Sequence, residues 1–385
     1  MARGELVPIR PVVLQWAMDE AGVSRRGLAN ALKVDVAKVD AWLAGTEQPT
    51  TTQFRGIATH VKRSTSTLLL AQPPAAGVPP SFRHPAGSTL GRTITREESA
   101  AVRSARRVQT VAHWILERTE HDEQHAAVPT LEALSDPAEA AKTLRAWLDW
   151  SEQVQFTARN QYEALNEMRT RLEERGVLVL HLRMGKDGCR GFSLPDPLSP
   201  VIAVNRTYIP AARLFSYVHE LVHLATRTEA MCMTTVGGNQ LEAWCEAVAG
   251  NLLLPEDATR RFIQRELGVE TVSTVTQVAR VANRFRLSQR GTAYRLQLAG
   301  LGVGNLFAMV HAATDLPVPR DDDSGPRERT AVRQYRQLGA AFSSLMLEAE
   351  SRRLLSSHDV LDYLEIPAAQ LNDWRTLARG EPTAA

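Results

Sequence analysis

The chain has 385 residues, with 45 Lys and Arg against 43 Asp and Glu, a net charge of +2 and 44% hydrophobic residues. That balance excludes a disordered or fibrous protein, allows two or three domains, and gives no global sign of nucleic-acid binding. Three cysteines (Cys189, Cys232 and Cys245) without a CxxC pair exclude a disulfide framework and suit a reducing cytoplasm. No apolar stretch is long enough for a membrane span or a secretory signal.

In chain order, residues 8–70 read as a cluster of short helices, because VVLQWAMDEAGV, RRGLANAL and VAKVDAWLAG place apolar residues at helical spacing. The segment 71–94 is a linker; its opening, AQPPAAGVPPS, is rich in proline and has no periodicity. Helical periodicity returns over 95–175, in TREESAAVRSARRVQTVAHWILERT, DPAEAAKTLRAWLDW and VQFTARNQYEALNEMRTRLEERG, the last ending at Gly176. We read this stretch as a helical connector.

At residue 176 the texture changes. GVLVLHLRM and PVIAVNRT are rich in branched apolar residues and flank Gly/Pro/Asp turns, which predicts two or three strands just before a long helix. A domain over 176–300 is followed by a C-terminal helical region, 301–385, interrupted by the charged loop LPVPRDDDSGPRERT. The fold class expected is mainly α with a small β-sheet (α+β).

The helix after the strands, AARLFSYVHELVHLATR, carries His219, Glu220 and His223. Positions four apart share a face, so both imidazoles can reach one metal ion. Glu220, rotated by about 100°, can address a water instead. H-E-x-x-H is short enough to arise by chance, and a third ligand decides its meaning.

LEAWCEAVAGNLLLPED supplies that ligand as Glu242, nineteen positions after His223. A His, His, Glu set leaves a fourth position open, the arrangement of catalytic rather than structural zinc. Glu246, one turn on from Glu242, is expected to hold the second ring N–H of a ligating histidine. With Zn2+ bound, Glu220 is the candidate general base.

The donor for a tetrahedral oxyanion is sought among Tyr208, Arg206, Tyr217 and His311 by residue type, with Tyr208 and Arg206 of NRTYIP preferred. Cys232 and Cys245 flank Glu242 and are weighed as competing ligands or redox-sensitive thiols, with core packing preferred for Cys245.

The run VIAVNRTYIPAARLFSYVHELVHLATR, followed by LEAWCEAVAGNLLLP, resembles the ImmA/IrrE family of metallopeptidases, with Glu242 at the family's glutamate position relative to the closing LLLP. The specific part of the likeness spans 201–255, and weaker similarity extends over 80–375. The resemblance implies a gluzincin-like zinc peptidase domain. It also implies a protein substrate, typically a helix-turn-helix repressor whose cleavage switches on stress-response or mobile-element genes.

SRRGLANALKVDVAKVDAWLAGTEQPT resembles the repressor-like helix-turn-helix domains of the XRE class, which implies Ser24 capping the second helix and a third helix anchored by Val36, Val39 and Trp42. Its exposed Asp35, Ala37, Lys38 and Asp40 would face base edges, and two carboxylates suit that poorly. Arg25, Arg26, Lys33, Lys38 and Thr50 are the candidate DNA contacts. Two alternatives remain: a transcription regulator or antitoxin-like partner with a structural or sensory metal, and a hydrolase using manganese or iron on another carbonyl.

Overall fold

The computed structural model describes residues 6–73 (except 22, 62 and 64), 94–119, 128–227, 236–314 and 328–381. Among these the chain is mainly helical with one small three-stranded sheet, the α+β class that the hydrophobic spacing implied. No described helix is long and apolar enough to cross a membrane. One compact unit takes described residues 6–73 and 94–103, and the other takes those from 104 to 381.

In the first unit, side chains near each helix start set its boundary. α1 (Pro11–Glu20) begins with proline, whose missing N–H is no loss at a helix start. α2 (Arg25–Leu32) is capped by Ser24, whose Oγ accepts from the N–H of Gly27 at 3.0 Å, and ends at Lys33 in the left-handed region.

α3 (Val36–Ala44) starts one residue later than its exposed face suggests. Asp35 is its N-cap and accepts from the N–H of Ala37 at 2.9 Å, so that carboxylate, exposed as expected, is engaged with the helix end. Gly45 (φ 74) closes α3 where a Cβ would lie 3.1 Å from Pro11 Cγ. α4 (Thr51–His60) follows a capping box between Thr50 and Gln53, and the turn α5 (Thr65–Leu68) ends the series. Leu14, Leu28, Val39, Trp42, Phe54 and Ile57 form one buried core, each aliphatic side chain contributing about 1.5–3 kcal/mol.

The division between the units falls inside α6 (Arg96–Arg118). Within the second unit its C-terminal half is fastened to the segment after the second strand. Gln109 Nε2 donates to the Leu194 carbonyl at 3.0 Å, and His113 Nδ1 meets Asp196 at 2.8 Å while its Nε2 lies 3.3 Å from Glu117.

The hydrogen bond to Asp196 holds the His113 imidazole above its usual 6.5, against some desolvation. Burial pushes the Asp196 carboxyl up, but His113 and the N–H groups of Ser199 and Leu198 outweigh it and keep it below 3.8. A raised histidine contributes stability present below 6.5 and lost as pH rises through its folded value. A depressed aspartate contributes stability lost as pH falls through its own. His113→Gln is therefore expected to lower stability by about 0.5 kcal/mol in the window between, discounted for partial exposure, with the deficit vanishing in alkaline thermal melts.

The rest of the second unit begins with α7 (Pro137–Trp147), α8 (Glu152–Thr157) and α9 (Gln161–Glu174). The periodic run VQFTARNQYEALNEM is thus broken rather than continuous. Asn160 accepts from the N–H groups of Tyr162 and Glu163 and starts a new helix. The strands are β1 (Leu178–Leu182), β2 (Gly191–Leu194) and β3 (Val201–Asn205), in the order β1-β3-β2.

β1 runs parallel to β3 with Leu178 opposite Val201, and β2 runs antiparallel with Gly191 opposite Val204. Buried Asn205, at the end of β3, organises the β1–β2 connection. Its amide donates to the carbonyls of Gly185 and Cys189, and its oxygen accepts from Met184 and Thr207.

α10 (Pro210–Thr226) lays Leu214, Val218, Leu221 and Val222 into the same core as Val179, Ile202 and Val204 of the sheet. α11 (Val236–Leu253) follows, then α12 (Glu256–Phe262), which ends in a π-type turn Ile263–Leu267. The carbonyls ending α11 are gathered by side chains far away in sequence. Arg145 donates to Leu252, and Gln155 donates to Leu253 at 2.8 Å and to Phe285 at 3.0 Å. Burial lowers the Arg145 pKa to about 10, still cationic at neutral pH.

α13 (Val275–Phe285), α14 (Gln289–Leu298) and α15 (Leu306–Ala313) continue the domain. α16 (Thr330–Leu338), α17 (Ala340–Ser351), α18 (Ser357–Leu364) and α19 (Leu371–Ala378) complete it. Glu173 of α9 receives the N–H groups of Ala340 and Ala341 at 3.1 Å each, capping α17. Gly339 (φ 90) is needed there, since a Cβ would stand 2.3 Å from Glu173 Oε1.

Candidate metal centre

α10 buries its polar motif as thoroughly as its apolar residues. His219 is fully buried, Glu220 is 1% exposed and His223 6%. Such burial of charge-bearing groups needs compensation from a partner.

α11, packed against α10, brings Glu242 to the two rings. Its Oε2 lies 3.3 Å from His219 Nε2 and its Oε1 3.3 Å from His223 Nε2. The two Nε2 atoms are 3.1 Å apart, with the ring planes inclined at 72°. A tetrahedral ion with bonds of about 2.0–2.1 Å holds its ligands roughly 3.3 Å from one another. The three ligand atoms therefore have the mutual spacing of one face of a coordination tetrahedron, and they form a group able to hold a metal ion.

Electrostatics point the same way. Desolvation raises the Glu242 pKa, but hydrogen bonds with His219 and His223 prevail and keep this carboxylate ionised far below its usual range. Desolvation likewise lowers His223, but contacts with Cys245 and Glu242 and the charge of Glu220 carry it well above 6.5. Two carboxylates around two buried imidazoles make a cluster that calls for positive charge, which protons or a divalent ion can supply.

Glu220 extends towards β2. A Cβ placed on Gly191 would lie 3.3 Å from Glu220 Oε1 and 3.4 Å from its Cγ, and 3.0 Å from the Ala203 carbonyl. Glycine at 191 thus gives the carboxylate room against the strand. Sequence reasoning overlooked it, although a glycine opening a strand signals close approach by another group.

Of the other residues singled out, Glu246 lies on an exposed position of α11, and the group against His223 Nδ1 is Cys245 Sγ at 3.9 Å. The Tyr208 hydroxyl donates to the carbonyls of Gly188 at 3.1 Å and Lys186 at 3.4 Å, in the β1–β2 connection, and Arg206 is half-buried just after β3. Tyr217 is buried and bonded to His181 Nε2, its pKa pushed up to about 12 by burial; His311 is exposed on α15. Cys232 falls outside the described residues.

The structure therefore brings together His219, His223 and Glu242, with Glu220 beside them. Residues 172–297 match the peptidase M78 family, described as the IrrE N-terminal-like domain. The matched stretch runs from the end of α9 through the sheet, α10 and α11 into α14, so the second unit contains a metallopeptidase-like domain. A search of curated proteins gave no match.

Proposed function

From a peptidase-type domain whose His, His and Glu side chains converge, we infer that the protein is a zinc-dependent endopeptidase that cleaves a regulatory, repressor-type protein. The observation that carries this reading is the set of 3.1–3.3 Å separations among His219, His223 and Glu242, with a buried carboxylate alongside. The donor set suits zinc, two neutral imidazoles and one carboxylate leaving room for reactants. A zinc ion there would supply Lewis acidity, polarising a peptide carbonyl and making water easier to deprotonate.

Glu220 does the proton work. Its carboxylate, one residue from a ligand, takes the proton of the attacking water and delivers it to the departing amine as the C–N bond breaks. Gly191 keeps that carboxylate clear of the strand. Arg206 and Tyr208 remain the proposed oxyanion donors, and Tyr208 has to leave its carbonyl partners to act. Cleavage of a repressor-type protein by the wild-type chain, absent with Glu220→Gln, tests the reading.

The N-terminal unit is proposed as a helix-turn-helix module that recognises DNA or the substrate. α2 and α3 are joined by a short turn at Lys33–Asp35, with Arg25, Arg26, Lys33 and Lys38 exposed. Arg25 is 3.2 Å from Asp40, and Lys38 is 3.6 Å from Glu47. Arg26 and Lys33 are therefore the phosphate contacts to test. Replacing both by alanine in the full chain should reduce the salt dependence of promoter retardation by about two units of slope and weaken binding across sequences. Unchanged retardation would leave partner docking as the module's role. A cytoplasmic setting is proposed from the free thiols of Cys189 and Cys245.

A further inference from the structure

A histidine that binds a metal through Nε2 carries its proton on Nδ1, and that N–H needs an acceptor that fixes the plane of the ring. The position one turn beyond Glu242 on the sequence suggested a carboxylate, Glu246, which is exposed. The atom against His223 Nδ1 is Cys245 Sγ, fully buried and 3.9 Å away, within reach of a hydrogen bond to sulfur. Cys245 stands three residues from Glu242 on α11, the spacing that puts two side chains on one helix face.

We propose that Cys245 is the positioning residue of the metal centre, its sulfur accepting the Nδ1–H of His223 so that Nε2 faces the ion. α11 then supplies both a ligand and the brace for a ligand on α10. Any shift of α11 moves Glu242 and the His223 ring together, which keeps the 3.3 Å contact between them. Sulfur is a weaker acceptor than carboxylate, so the ring is held by a soft contact between buried groups. No proton is exchanged in this role, and the thiol touches neither metal nor substrate.

The inference rests on the zinc reading of the site, and the test separates the two. Zinc affinity is measured by competition with a chromogenic chelator on the full-length chain and on Cys245→Ser, Cys245→Ala and Cys245→Val, and the cobalt-substituted visible spectrum is recorded for each. Serine retains an acceptor, whereas valine fills the space without one.

The expected order is wild type, then serine within about threefold, then alanine and valine weaker by about ten- to a hundredfold, with a cobalt spectrum altered only in the last two. Wild-type affinity in the alanine or valine protein overturns the inference alone, as does a serine protein as weak as alanine, which would make the sulfur mere packing. Should alanine fail to fold, as judged by melting of the metal-free chain, the serine and valine pair decides. A wild-type chain that binds no zinc overturns the underlying reading, and this inference with it.

Discussion

Glu220→Gln is expected to bind zinc as the wild type does and to cut its substrate at least about a hundredfold more slowly, and up to about ten-thousandfold. The amide has almost the shape of the carboxylate, so it fits the space beside Gly191, where the side chain is 1% exposed. It cannot accept a proton from water, and Glu242, the other carboxylate of the described cluster, is held between His219 and His223. Metal content and kcat measured on the same preparation check this, and the variant doubles as a substrate trap. Full cleavage by the glutamine protein would remove the proposed proton transfer, and with it the peptidase mechanism.

Glu242→Gln should do the opposite, losing the metal first and activity as a result. The wild-type carboxylate stays ionised against its burial because two imidazoles face it, and the substituted amide brings no charge to offset a divalent ion. Zinc affinity is expected to fall at least about a hundredfold, beyond the effect of losing a brace to a ligand. The stabilisation expected of zinc in the wild type, about 2.7 kcal/mol when present at a hundred times its Kd, should disappear. Thermal melts with and without zinc read both effects. Equal zinc-induced shifts in the two proteins would exclude Glu242 as a ligand.

Much of this centre was legible because helices convert spacing into direction. His219 and His223, four apart, had to share a face, and Glu242 lay in a second periodic run. What spacing leaves open is which face of that second helix meets the first. Glu246 and Cys245 are adjacent in sequence, yet one is exposed and the other lies against His223.

Of the two or three strands expected, β2 is the one whose position was not legible, for another reason. GFSL is four residues among turn-forming neighbours, too short for alternation to register, and it is a strand because β3 offers a partner. The break between α8 and α9 depends on the Asn160 cap overriding a helical pattern that continues through it. Asp35 is exposed as expected but caps α3 rather than lying within it, since a cap residue and a first-turn residue differ by a single position.

The amide of Gln155 joins the carbonyls of Leu253 and Phe285 across sequence separations of 98 and 130 residues. A chain emerging from the ribosome has both histidines of α10, and even Glu242, before Phe285 exists to close this link. Contacts of such range form late, after long loops have been ordered. The bond from Gln155 to Phe285 forms only once α13 is complete, so a chain truncated before residue 285 would carry every proposed ligand and the bonds to Leu252 and Leu253, yet lack the tie from the end of α11 to the end of α13. The order of synthesis thereby puts the last of these ties well after all the proposed ligands.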